Sequence, residues 1–141
     1  MSESVFKGED GSRARRALQN FESALTRMHE AEGLVETTIV RDALIRRFVN
    51  AFETAWRTLY WLLTVRGVQV RPEPTHVLQR SLEMHLLKDE ALWSEIRRFR
   101  DRSPQASDDT RASELTAFLR SQAIRGFDHL LLEMRASDRF A

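Results

Sequence analysis

Cysteine is absent from the 141 residues, which excludes disulfides, thiolate zinc sites and cysteine nucleophiles together. Proline and glycine are scarce, three and five residues, so the chain favours a few long elements over many short strands. The most apolar stretch, Leu59 to Val65, is far shorter than the roughly 20 residues a membrane span needs. Met1 to Ser12 is polar and acidic, with no apolar segment of signal-peptide length; a cytoplasmic location is the expectation. Charge of one sign is also missing. A net charge of +1 gives the whole-molecule field no reason to attract nucleic acid.

What is present is ordinary for one globular domain: 42% apolar and 30% charged residues, with a length that leaves little room for a second core. The basic charge is nearly all arginine, Lys7 and Lys88 being the only lysines. Arginine suits bidentate contacts to phosphate or carboxylate, and genome composition produces the same bias.

The apolar residues recur at helical spacing throughout. Residues 1–12 read as a flexible leader and 13–141 as a single helical bundle domain. Ala14, Ala17, Leu18, Phe21, Leu25 and Met28 form the stripe of a first helix. Gly33 is its stop, with Leu34 and Val35 in position to carry apolar contacts past it. Val40, Leu44, Phe48, Phe52, Trp56, Leu59 and Leu63 step by fours and threes along a second. Thr37 or Thr38 caps its start, and Gly67 followed by two prolines ends it. At roughly 1.5 Å per residue that helix is about 40 Å long and forms the spine of the fold.

Thr75 offers a cap for a short third helix carrying Val77, Leu78, Leu82 and Leu86. Asp89 offers one for a fourth with Leu92, Trp93, Ile96 and Phe99 on its buried side. After a loop over 101–109, Asp108 or Asp109 opens the last helix. Its stripe is Leu115, Leu119, Ile124 or Ala123, Phe127, Leu130, Leu131 and Met134. The expectation is all-α: an up-and-down four-helix-type bundle with one extra short helix.

Two polar clusters stand out. On the second helix Asp42, Arg46, Asn50, Glu53 and Arg57 share a face opposite the apolar stripe. It is either a solvated face with Asp42–Arg46 and Glu53–Arg57 pairs or a surface that meets a partner or substrate. Near the end of the fourth helix Arg97, Arg98, Arg100 and Arg102 surround Phe99. They serve either to offset the helix macrodipole or to bind a phosphate-bearing ligand or RNA strand. Trp56 falls on the core stripe; of Tyr60 and Trp61 beside it, either one points outward and marks an interface or the helix is buried on two sides. His29, His76, His85 and His129 show no metal-ligand spacing and suit surface or cap roles. No phosphate loop, nucleophile elbow or paired-carboxylate site is visible.

The segment Arg41 to Leu59, RDALIRRFVNAFETAWRTL, resembles the second helix of the nucleotidyltransferase substrate-binding proteins, a branch of the HEPN superfamily of helical bundles. The matching positions are Arg47, Phe48, Phe52, Glu53, Trp56 and Arg57, followed downstream by Leu86, Leu87, Asp89 and Trp93, then Arg100 and Asp101. The likeness runs from the first helix to about residue 110. His85 stands where relatives usually have glycine at the turn between the third and fourth helices.

The resemblance implies a subunit that pairs with a minimal nucleotidyltransferase, which holds the nucleotide and divalent metal while this chain binds no cofactor. It implies a homodimer, or a heterotetramer with the transferase, and in some pairs a toxin–antitoxin arrangement. Ribonuclease-competent relatives carry Arg, Asn and His after the fourth helix, and some a Tyr two residues beyond the His that the transferase modifies. Here those positions read Arg100, Asp101, Gln105 and Ser107. Gln105 cannot transfer a proton at neutral pH, as the histidine would. The expected function is therefore a non-catalytic substrate-binding subunit whose interface uses Arg46, Asn50, Glu53, Arg57, Arg97 and Arg100. The alternative is a divergent ribonuclease toxin, acting on RNA through Arg100 with a substitute for the missing histidine.

Overall fold

A computed structural model of the chain describes residues 8–103 and 109–139. They fold as five helical rods: α1 (Gly8–Glu32), α2 (Thr38–Val65), α3 (Pro74–Glu83), α4 (Glu90–Arg102) and a last rod. That rod consists of α5 (Asp109–Phe118), one π-helical turn (Leu119–Ala123) and α6 (Ile124–Arg139), joined end to end.

Helix α1 starts at Gly8, so residues 8–12 belong to the helix and not to a leader. Its first turn has no apolar stripe to betray it. Glu9 and Asp10 instead suit the positive end of the helix dipole, and Arg13 pairs with Glu9 at 2.8 Å. Helix α2 opens on Thr37, whose hydroxyl accepts from the Val40 amide at 3.1 Å. It closes on Gly67 at φ +78°, where the Val68 amide reaches back to the Leu63 carbonyl and the Gly67 amide to Thr64. That bond pair is the Schellman termination.

Helix α3 begins at Pro74 with no side-chain cap. Proline at the first helical position needs none of its own amide and presets φ, so Thr75 lies inside the helix. Asp89 caps α4 as expected, accepting from the Leu92 amide at 3.1 Å. Leu34 and Val35 do not extend the core; they are 57% and 87% exposed. Their connector is instead held by Arg120, which donates to the Glu32 carbonyl and faces Glu36.

Cross-links fix the directions of the rods. Glu22, His29 and Glu32 of α1 meet Arg135, Asp128 and Arg120 of the last rod, in opposite order along the chain. Lys88 before α4 meets Glu133, while Phe99 at its far end stacks on Phe118 with centroids 4.2 Å apart. So α1 and α4 both run antiparallel to the last rod, and with α2 the four make an up-and-down bundle with α3 as the extra short helix. One ring from each of the four bundle helices meets at the centre, α3 contributing none. Phe127 lies 6.0 Å from Phe21, 6.0 Å from Phe48 and 5.6 Å from Trp93, centroid to centroid. Tyr60 and Trp61 are both half-buried against this core, so α2 is covered on two sides.

The ambiguous step in the last stripe has a structural origin. The Ile124 amide donates to the Leu119 carbonyl five residues back, which adds one residue to that turn. Ala123 and Ile124 are therefore both buried, at 0% and 4% exposure.

Candidate functional site

The polar face of α2 forms one wall of a groove whose other wall is α1. Asn20, Ser23, Ala24 and Arg27 line it from α1, and Arg47, Asn50, Glu53, Thr54 and Arg57 from α2, around a volume of about 420 Å³. The packing dictates this arrangement. The α1 and α2 stripes face each other with Phe21, Leu25, Phe48 and Phe52 buried, and the polar residues one step off each stripe then border the seam.

Glu53 organises the site. Its Oε1 accepts from Arg100 Nε at 3.2 Å and Nη2 at 2.9 Å. Its Oε2 accepts from the Trp56 indole at 2.9 Å and lies 4.0 Å from Arg57 Nη2. Arg57 also sits over the Trp56 ring, 5.4 Å from its centroid. Glu53 and Arg100 are each only 26% exposed, and their contact ties α4 to α2. Both carboxylate oxygens thus face donors from the protein itself.

The rest of the groove is rich in donors. The Arg47 guanidinium donates to the Arg27 carbonyl at 2.7 Å and stands 3.8 Å from Glu30. The Arg27 guanidinium has no partner among the described residues. The Thr54 hydroxyl donates to the Asn50 carbonyl at 2.9 Å. Three arginines, two asparagine amides and the Ser23 hydroxyl surround a single carboxylate that already has its partners, which favours an anionic ligand able to accept several hydrogen bonds.

Of the residues singled out in the sequence, Asn50, Glu53 and Arg57 line this groove, and Arg100 joins it through Glu53. Arg46 is exposed one turn earlier on the same face and does not line it. No Asp42–Arg46 pair is present among the described residues. Arg97 points elsewhere: with Asp101, 3.8 Å away, it borders a separate cavity between α3 and α4 of about 800 Å³. Gln105 and Ser107 lie outside the described residues. The α1 contribution of Asn20, Ser23 and Arg27 was not foreseen. Their three- and four-residue steps form a polar line beside the α1 stripe, the one signal that could have found them.

The histidines make local contacts. His29 Nε2 lies 2.7 Å from Asp128, and His76 Nδ1 accepts from the Arg71 amide at 2.9 Å. Among the described residues no group of three His, Asp or Glu side chains is placed to hold a metal, and no helix is long and apolar enough to cross a membrane.

A family model described as nucleotidyltransferase substrate binding protein like matches residues 10–136. No curated protein sequence matches the chain.

Proposed function

The chain belongs to the nucleotidyltransferase substrate binding protein-like family, and we propose that it acts as the non-catalytic, substrate-holding partner of a minimal nucleotidyltransferase. The transferase supplies nucleotide and divalent metal; this bundle binds no cofactor of its own and presents an anionic substrate in the α1–α2 groove. The observation that carries this reading is the commitment of Glu53. With its oxygens taken by Arg100, Trp56 and Arg57, the groove keeps cations and amides for recognition while its one carboxylate serves as a brace.

The same contact weighs against the ribonuclease alternative. Arg100 would have to leave Glu53 before its guanidinium could steady an RNA phosphate. A cytoplasmic pair of toxin–antitoxin type, with the bundle as a homodimer inside a heterotetramer, is the assembly that fits this reading.

Co-expression with a minimal nucleotidyltransferase from the same genome, followed by size-exclusion chromatography with light scattering, tests the proposal. A single complex containing both chains at micromolar concentration is expected. Two separate peaks would overturn the partnership, and growth arrest on expression of this chain alone, abolished by Arg100→Ala, would establish the ribonuclease instead.

A further inference from the structure

Two irregularities of the backbone, the left-handed Asp89 and a π-helical turn, border one cleft away from the α1–α2 groove, and the left-handed His85 adjoins it in sequence. His85 and Asp89 are the only described non-glycine residues with positive φ, +60° and +66°, and they bracket the connector Leu86–Lys88. Across from that connector lies the π-helical turn. The cleft between them has a volume of about 600 Å³, within the range of small-molecule sites. Left-handed non-glycine residues and π turns are disfavoured and concentrate at functional sites.

The cleft has an apolar floor and a charged rim. Leu86, Leu87, Leu92, Trp93 and Leu130 line its base. Lys88 and Glu133 form an ion pair at 3.2 Å between the α4 connector and α6, so each already has a partner. The remaining acids are occupied: Asp89 caps the Leu92 amide at 3.1 Å, and Glu95 pairs with Arg98 at 2.8 Å. Arg125 and His129, one turn apart on α6, also line the cleft and have no partner among the described residues. Apolar surface below and an unpaired guanidinium at the rim select one kind of ligand.

We propose that this cleft is a second binding site, taking a small molecule with an apolar ring or chain and one anionic headgroup, a phosphate or a carboxylate. The body lies on Leu92 and Trp93, and the headgroup meets Arg125 with His129 beside it.

Nuclear magnetic resonance on the full ¹⁵N-labelled chain tests this with phenyl phosphate and phenylacetate as probes and inorganic phosphate and acetate as controls. Saturable shifts of the Arg125, Gly126 and His129 amides are expected, with at least one phenyl probe about tenfold or more tighter than its inorganic or methyl control. Whichever phenyl probe binds tighter names the headgroup. Arg125→Gln should weaken that probe about tenfold or more, and Ala91→Phe, at the exposed mouth, should block it. Arg66→Gln, on a distant exposed turn, should leave binding unchanged. The proposal is overturned by the absence of saturable shifts with both phenyl probes, by equal affinity for probe and control, or by unaltered binding in Arg125→Gln that retains the wild-type spectrum elsewhere.

Discussion

Removing the charge of Glu53 should loosen the junction of α2 and α4, and the size of the effect follows from the geometry. At 2.9 Å the direct Arg100–Glu53 attraction is about 6 kcal/mol at an effective dielectric of about 20. Most of that is cancelled by the desolvation of two charges that are each 26% exposed. Fully exposed pairs contribute about 0–1 kcal/mol, and breaking fully buried ones costs about 3–5 kcal/mol. An intermediate loss of about 1–2 kcal/mol is expected for Glu53→Gln. The amide keeps one acceptor oxygen and turns an NH₂ toward the second donor, so Arg100 and the Trp56 indole cannot both be satisfied. Arg100→Met should cost a similar amount. In the double variant the losses should fall short of their sum by about 1 kcal/mol.

Urea unfolding followed by far-ultraviolet circular dichroism reads these values, and melting temperatures should fall by about 3–6 °C. Arg97→Met and Arg98→Met, on exposed side chains of the same helix, should stay within about 0.5 kcal/mol of wild type. Additivity of the Glu53 and Arg100 effects within about 0.3 kcal/mol would refute the reasoning, because it would mean that Arg100 is not held by Glu53 in solution.

Two further changes test the backbone. His85→Gly should stabilise the fold by about 0.5–1 kcal/mol, since the left-handed cost for an L-residue exceeds the entropic cost of glycine; a lower urea midpoint would show that the imidazole contributes a contact that offsets the strain. Deleting Gln122, exposed within the π turn, should let the last rod close as a regular α-helix with Leu115 and Leu119 still facing the core. Melting within about 5 °C of wild type is the expected result, and a loss of cooperative unfolding would show that the extra residue is needed for the register on both sides.

Most of the bundle is legible in the sequence because burial and periodicity express the same constraint. Phe21, Phe48, Trp93 and Phe127 each lie on a stripe drawn from spacing alone, and they are the rings that meet at the centre. Local chemistry was readable at the caps as well: Thr37, Asp89 and Gly67 act where their side chains or their lack of one predicts. The groove was only half visible. Asn50, Glu53 and Arg57 announce a polar face, but which helix covers its edge depends on three-dimensional packing. The link from Glu53 to Arg100 spans 47 residues, a separation at which no periodicity operates. Arg97 and Arg100, three residues apart on one helix, consequently part ways, Arg97 bordering the α3–α4 cavity and Arg100 holding Glu53 in the wall of the α1–α2 groove.

The last rod shows how a local ambiguity in sequence can carry structural information. Reading Leu115, Leu119 and then either Ala123 or Ile124 left the step undecided between four and five residues. A regular helix must choose, because the residue it does not choose turns about 100° away from the core. The π turn removes the choice by adding one residue to the circuit, so that Ala123 and Ile124 both face inward. The alternative, a regular helix over 109–139, would rotate either the Leu115–Leu119 half or the Phe127–Met134 half of the stripe out of the core. Losing several buried large side chains at about 1.5–3 kcal/mol each far outweighs the weaker hydrogen bonding of one wide turn. The two halves of the stripe are thus each regular and mutually out of phase by one residue. The bulge sits at the seam, beside the cleft that Arg125 and His129 border.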